Sequence, residues 1–226
     1  MSTIEMLHYL YLKLGILAVI CLSLNVILCL YKYKELSPTL RRFGNFLLWG
    51  LLIELTARVF AYSGMNNLPL LHLYTLGEFI LLGFFYKSLI TKPISFRKNF
   101  VYLLFTGAIL IIMNSLFFQS IYGFNNVAKT SVQLAIISFA VLYFYNLTEN
   151  RAAPEKTEKG LRLINSAILI YYSGSLFVFM CSQVSFEKSG LYEFFWAFNA
   201  ALNLCFQLLV LWGIWKIRFQ NTALST

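Results

Sequence analysis

Four ionisable side chains stand inside long apolar stretches of the sequence, where such groups are costly. Glu54 and Arg58 lie four residues apart in one stretch, and His72 and Glu78 lie in the next. An ionisable side chain at the centre of a membrane helix costs about 2.5–3.5 kcal/mol on insertion scales. Their presence in such stretches indicates acid–base, ion-holding or ligand-binding chemistry within a membrane.

These groups meet if the two stretches are neighbouring antiparallel helices. Positions four apart share a helix face, so Glu54 can pair with Arg58, and Tyr74 shares a face with Glu78. Only SGMNN joins the stretches, which predicts one cluster of Glu54, Arg58, His72 and Glu78. Its excess negative charge would hold a proton or a cation. In the alternative interpretation the same groups only join helices, and His72 is an interfacial hydrogen-bonding residue.

Neutral polar side chains extend this set into later stretches. Asn199, Asn203 and Gln207 follow one another at intervals of four, so they form a stripe on one helix face. Such a stripe lines a cavity or forms a helix–helix contact, and we favour the contact. Lys129 and Gln133 form a further pair at the same spacing. The candidate ligand-binding or buried polar residues are Glu54, Arg58, His72, Tyr74, Glu78, Asn114, Asn199 and Asn203.

The elements that must position these residues are membrane helices. Of the 226 residues, 59% are hydrophobic and 12% are charged, and the mean hydropathy is +0.71. Soluble domains carry about 25% charged residues, so this composition excludes a soluble enzyme or nucleic-acid-binding domain. A membrane-crossing helix needs about 20 apolar residues. We predict an all-α bundle of seven transmembrane helices in a single domain, 1–226, with spans at 11–31, 43–62, 68–89, 99–118, 127–147, 161–182 and 191–215.

The distribution of basic residues predicts the orientation of the bundle. Fourteen of the 18 Lys and Arg residues follow the first, third, fifth and seventh spans. Such segments are cytoplasmic, so the N-terminus is predicted outside and the C-terminus inside a bacterial inner membrane. A six-span alternative would place one basic loop on the wrong side. The longest connection, 146–162, is predicted to be a solvated hinge loop because it mixes both charge signs with Pro and Gly.

Several classes of membrane enzyme lack the residues they require. The chain has two His and no Asp, which excludes a His-rich zinc site and an aspartyl protease. The last span has no Lys before Lys216 for a retinal linkage, and there is no P-loop, HExxH or Cys-x-x-Cys motif. We therefore predict no metal, no cofactor and no assigned catalytic residue. Acid–base work by Glu54 or Glu78 on a lipid is the enzymatic alternative.

Five stretches carry a resemblance to a known family. Residues 66–86, 113–126, 142–147, 164–179 and 196–215 resemble an uncharacterised seven-span integral membrane protein family of Bacteroidota. Its members are often encoded near sensor histidine kinases or response regulators, so the resemblance implies a signalling role. The residues that match the family are His72, Tyr74, Glu78, Asn114, Ser115, Asn165, Ser173, Gly174 and Asn203.

Together these observations predict a sensory or signal-relay module of the membrane. Its partners would be the lipid bilayer, a small or lipid-like ligand and a cytoplasmic or membrane kinase at the basic loops, without nucleic acid. The alternatives are a lipid-modifying enzyme and an oligomeric channel or transport subunit whose path the Asn199 stripe would line. The predicted outward-opening pocket consists of Glu54, Arg58, His72, Glu78, Asn114 and Asn203.

Overall fold

A computed structural model describes residues 3–149, 156–185 and 189–217. In these ranges the chain forms seven α-helices and no strand, and each helix is long and apolar enough to cross a membrane. The predicted all-α, seven-helix membrane bundle is thereby confirmed. The helices are α1 (Thr3–Tyr31), α2 (Pro38–Tyr62), α3 (Leu68–Leu89), α4 (Ile94–Met113), which a π-helical turn (Asn114–Phe118) extends, α5 (Asn126–Glu149), α6 (Lys156–Ser185) and α7 (Ser189–Lys216).

Proline and serine define where three helices begin. Ser37 precedes α2, and its side chain accepts a hydrogen bond from the backbone N–H of Leu40 at 3.4 Å. Pro38 and Pro69 occupy the first turns of α2 and α3, and Pro93 immediately precedes α4. The N–H groups of a first turn have no partner within the helix, so proline removes no hydrogen bond there.

Six of the seven helices form a closed ring. Along the ring, α1 packs on α2, α2 on α3, α3 on α5, α5 on α6, α6 on α7, and α7 on α1. The remaining helix, α4, lies outside the ring and packs on α3, where Leu104 of α4 rests on Gly83. The α6–α7 contact is especially close, because a Cβ atom at Gly160 would lie 2.7 Å from the carbonyl oxygen of Gly213. Small residues permit such close approach between membrane helices.

The two halves of the ring differ in their filling. The basic half contains the 31–38 and 89–94 connections, and the amino-terminal half contains residue 3 and the 62–68 and 118–126 connections. In the basic half, the ring of Phe85 lies 5.1 Å from those of Phe43 and Tyr86, and the ring of Phe139 lies 5.0 Å from that of Phe100. All five side chains are buried, so this half is a packed aromatic core.

The helices exceed the predicted spans, and most of one predicted loop is helical. The α1 helix already includes Thr3, α5 continues to Glu149, and α6 includes residues from Lys156 onward. The predicted loop is therefore wrong for 146–149 and 156–162, while 150–155 lie outside the described residues. Asn146 explains part of the difference, because its Oδ1 accepts hydrogen bonds from the backbone N–H groups of Thr91 at 3.1 Å and Lys92 at 2.7 Å. These bonds fix the end of α5 to the α3–α4 connection.

Candidate functional site

A cavity of about 390 Å³ lies within the amino-terminal half of the ring. Small-molecule sites in proteins have volumes of about 300–1,000 Å³, so this cavity has the size of a ligand site. Aromatic rings from Phe124, Phe179 and Trp196 form part of its wall. Every ring helix also contributes a polar or ionisable residue to the lining, in chain order Tyr11, Glu54, Tyr74, Lys129, Tyr171 and Asn199.

Lys129 of α5 forms the most buried ion pair in the described part of the chain. Its Nζ donates to Oε2 of Glu78 at 2.6 Å, and the two side chains are 2% and 0% exposed. The Tyr172 hydroxyl donates to the other carboxylate oxygen, Oε1, at 2.7 Å. The ammonium also lies 4.6 Å from the ring centroid of Tyr74 and 5.4 Å from that of Phe179. Carboxylate and ring faces together compensate the buried positive charge.

The orientation of Glu78 follows from its neighbour in the sequence. Trp49 of α2 packs directly on Gly77, which places Gly77 on the α2 side of α3. Consecutive helix positions are about 100° apart, so Glu78 points away from α2. It therefore meets α5 and α6 and does not contact Glu54.

Glu54 and Arg58 form the predicted pair within α2. The Nε of Arg58 donates to Oε1 of Glu54 at 2.9 Å, and Nη2 of Arg58 lies 2.8 Å from the same oxygen. The guanidinium also donates to the carbonyl oxygen of Gly15 at 3.4 Å, which joins α2 to α1. The side chains of Arg58 and Glu54 are 34% and 42% exposed, and Glu54 lines the cavity. This pair is thus far more accessible than the one at Lys129.

His72 of α3 and Asn114 of the π-helical turn form hydrogen bonds with the α4–α5 connection and do not line the cavity. The Nδ1 of His72 lies 2.8 Å from the Ser115 hydroxyl, and its Nε2 lies 3.3 Å from the carbonyl oxygen of Gly123. Asn114 donates to Oε1 of Gln119 at 2.9 Å. The predicted four-residue cluster is consequently divided among three places: the α2 pair, the α3–α5 pair and this connection.

The polar stripe on α7 combines a helix contact with a cavity lining. At one end, the Nδ2 of Asn25 on α1 donates to the backbone carbonyl of Gln207 at 3.0 Å and to its Oε1 at 3.1 Å. Gln207 in turn donates to Oδ1 of Asn203 at 3.3 Å. Asn199 and Asn203 line the cavity, and the buried Oδ1 of Asn199 has no hydrogen-bond partner in the described structure. That oxygen is an acceptor available to a ligand.

Sequence reasoning missed the partnership between Lys129 and Glu78. It paired Lys129 with Gln133, but Gln133 donates to the Ser175 hydroxyl at 2.7 Å. A usable signal was present, because a Lys within a membrane helix requires a compensating carboxylate. Once Arg58 neutralises its neighbour four residues away, Glu78 and Lys129 are left as complementary charges on different helices.

Comparison of the chain with family models, curated proteins and solved structures gives no match. The fold and the site define the class directly: a multi-pass membrane protein whose helix ring encloses a ligand-sized, partly polar cavity. Among the described residues no group of His, Cys, Asp or Glu is arranged to hold a metal ion, and the cysteines are free.

Proposed function

We propose that this protein is a receptor-type signalling module of the bacterial inner membrane, which binds a small molecule in the ring cavity and acts through a partner. The observation that supports this most is the lining of the cavity by all six ring helices. A ligand there contacts every helix of the ring, so its binding favours one arrangement of them over another. The basic connections, which are predicted to be cytoplasmic, would present that arrangement to a kinase.

The charge balance around the cavity favours a ligand without net charge. Both charged groups of the lining already have partners: Glu54 pairs with Arg58, and Lys129 pairs with Glu78. The unpartnered Oδ1 of Asn199 favours a hydroxyl or N–H donor on the ligand, because a buried acceptor without a donor is costly. The aromatic part of the wall favours an apolar body. The ligand class is therefore a small neutral molecule with a hydrogen-bond donor.

The ion pair at Lys129 provides a physical route from the cavity to the helix packing. Lys129 lines the cavity, while its partners Glu78 and Tyr172 belong to α3 and α6. A ligand that shifts the ammonium changes charge-assisted hydrogen bonds that join three helices. In a buried, low-dielectric setting such bonds are sensitive to small displacements.

The geometry gives less support to the enzyme and channel alternatives. Glu78 does not line the cavity, and both of its carboxylate oxygens are bound. Glu54 lines the cavity but is paired with Arg58. For a channel, the polar stripe would have to continue past Gln207, where the aromatic core of the basic half fills the ring.

Ligand binding is tested by mass spectrometry of small molecules that co-purify with the protein in mild detergent. The test compares the wild type with Asn199→Leu/Asn203→Leu and with Leu208→Ala, a control on the exposed face of α7. We expect one molecular class to be enriched with the wild type and the control and lost from the double variant. Equal recovery of the same molecules from all three proteins would contradict the proposed site.

Access to the cavity is tested by thiol labelling. In a background where Cys21, Cys29, Cys181 and Cys205 are replaced by Ala, Asn203→Cys should react with a membrane-impermeant methanethiosulfonate added outside. Leu208→Cys on the same helix should not react, because lipid covers it. Reaction of both positions, or of neither, would contradict a cavity that opens outward.

The relay step is tested by crosslinking a tagged copy in cells, followed by mass spectrometry. Recovery of a sensor kinase or response regulator at near-stoichiometric yield would support the proposal. Recovery of the protein alone, with one lipid class enriched, would contradict the relay and favour an enzyme or a pore.

A further inference from the structure

A large apolar groove runs along the outside of the ring between α4 and α5. The two helices are joined in sequence, but α4 packs mainly on α3 and meets α5 through the rings of Phe96 and Phe100, which lie against Phe139. The groove between them has a volume of about 1730 Å³. It extends from Phe96 to Phe118 on one side and from Val127 to Tyr145 on the other, which is nearly the full length of both helices.

The dimensions of the groove match a transmembrane helix better than a lipid. The 96–118 segment is about 33 Å long at 1.5 Å per residue, so the groove crosses the whole hydrocarbon layer of about 30 Å. A phospholipid occupies only one leaflet of that layer. A helix about 10 Å wide and 30 Å long fills about 2,400 Å³. The groove therefore offers an open surface along which one helix can lie over its membrane length.

The α4 wall has the residue spacing of a helix–helix contact. Asn99, Leu103, Thr106 and Leu110 line the groove at intervals of four, three and four. This spacing places them on one face that packs lengthwise against a neighbouring helix. The Thr106 hydroxyl makes no hydrogen bond within the described chain, and an unpartnered hydroxyl at hydrocarbon depth is costly. An acyl chain offers it no partner, whereas a helix with a hydroxyl at the same depth does.

The α5 wall permits a second helix to approach closely. Its groove-lining residues include small side chains along the length of the helix, and small residues mark close helix contacts in membranes. The Ser131 hydroxyl also lacks a hydrogen bond within the described chain, so this wall too offers a polar group at lipid depth. The small residues are Ala128, Ser131, Ala135 and Ser138.

We propose that the groove holds α4 of a second copy of this protein, in a parallel two-fold dimer. The α4 helix is the least buried span of the bundle and is itself one wall of the groove. A two-fold axis along the membrane normal keeps each residue at its own depth, so Thr106 meets the partner's Thr106 and their hydroxyls pair. When α4 of one copy enters the partner's groove, its own groove receives the partner's α4. One symmetric contact thus fills both grooves and leaves the ring cavity, and the function proposed for it, independent of the dimer.

Disulfide crosslinking in native membranes tests this contact. In the background without natural cysteines, Thr106→Cys and Phe105→Cys are compared after mild oxidation. Phe105 has nearly the same depth but does not line the groove. A disulfide needs Cα atoms within about 7 Å, so we expect about tenfold more covalent dimer at Thr106→Cys than at Phe105→Cys. Equal yields at the two positions would indicate random collisions and overturn the proposal.

Counting copies in lipid nanodiscs gives an independent readout that does not depend on thiol chemistry. The wild type and Phe105→Trp should be dimers. Thr106→Trp should be monomeric because the indole fills the space where the two α4 helices meet. The cavity labelling at Asn203→Cys, introduced into each protein, reports that all three are folded. A wild type with one copy per disc would overturn the proposal.

Discussion

The two halves of the ring solve the problem of polar groups in a membrane differently. In the basic half, polar side chains bond to one another among aromatic rings: Tyr86 donates to Asn165 at 2.7 Å, and Asn165 donates to the carbonyl oxygen of Ala140 at 3.1 Å. In the amino-terminal half, Lys129 and Asn199 face a cavity, and the Oδ1 of Asn199 has no hydrogen-bond partner in the described structure. The basic half, which we call the packed half, suits a scaffold that keeps the ring closed. The amino-terminal half, which we call the hollow half, suits recognition of a ligand.

The two ion pairs near the cavity differ in accessibility. Glu54, Arg58, Glu78 and Lys129 all belong to the amino-terminal half, two of them accessible and two fully enclosed. Buried charges persist only when paired and hydrogen-bonded, so the enclosed pair must be held by well-placed neighbours. Removal of a partner should therefore have graded effects, which decrease as the accessibility of the affected group increases.

The largest expected effect in the hollow half is that of Lys129→Leu. This change leaves the Glu78 carboxylate buried without its cation, and breaking such a pair costs about 3–5 kcal/mol of the free energy of unfolding. The double variant Lys129→Leu/Glu78→Leu removes both charges and should recover most of that loss. Reversible unfolding in detergent measures both. If the double variant were as unstable as the single one, the unpaired Glu78 carboxylate would not be the cause of the lost stability.

In the packed half, Phe85→Ala should cost about 3–5 kcal/mol, because it leaves a void among fully buried rings. Phe84→Ala is the matched control. The side chain of Phe84 is 40% exposed, so its removal should change the free energy of unfolding little. Unfolding curves measure both variants. At temperatures where Phe85→Ala is folded, its thiol labelling at Asn203→Cys should match that of the wild type. A changed labelling rate would mean that the two halves are not separate.

A smaller loss is expected from Tyr172→Phe, which removes one hydrogen bond from the Glu78 carboxylate. A hydrogen bond to a charged group contributes about 1.5–3 kcal/mol to stability. The adjacent Tyr171→Phe is the control, because its hydroxyl makes no such bond to Glu78. Equal unfolding free energies for the two variants would show that the hydrogen bond from Tyr172 does not stabilise the buried pair.

The smallest effect on stability is expected from Glu54→Gln. The side chains of Glu54 and its partner Arg58 are partly exposed, and such pairs contribute about 0–1 kcal/mol to the free energy of unfolding. The variant should instead slow the labelling of Asn203→Cys by a cationic thiol reagent, by at most about fivefold, the factor that about 1 kcal/mol of Coulomb energy gives. Labelling by a neutral reagent serves as the control. Equal slowing of both reagents would show that the cavity shape had changed, not its charge.

The sequence by itself determined the seven helices and the pairing of Glu54 with Arg58. Each depends on a local rule: the apolar length that a bilayer requires, and the 3.6-residue turn that brings positions four apart together. The same rules also identified the stripe of Asn199, Asn203 and Gln207. They did not reveal that all three residues line a cavity and that Gln207 also forms the contact with α1.

Only the tertiary structure decided which helices meet and how each is rotated about its axis. Trp49 against Gly77 turns Glu78 toward Lys129, and the same packing separates it from Glu54 and His72. The position of α4 outside the ring likewise has no local signature in the sequence. The physical reason is that spacing within a helix is a property of the backbone. Rotation and neighbourhood between helices depend on the fit of particular side chains from distant parts of the chain.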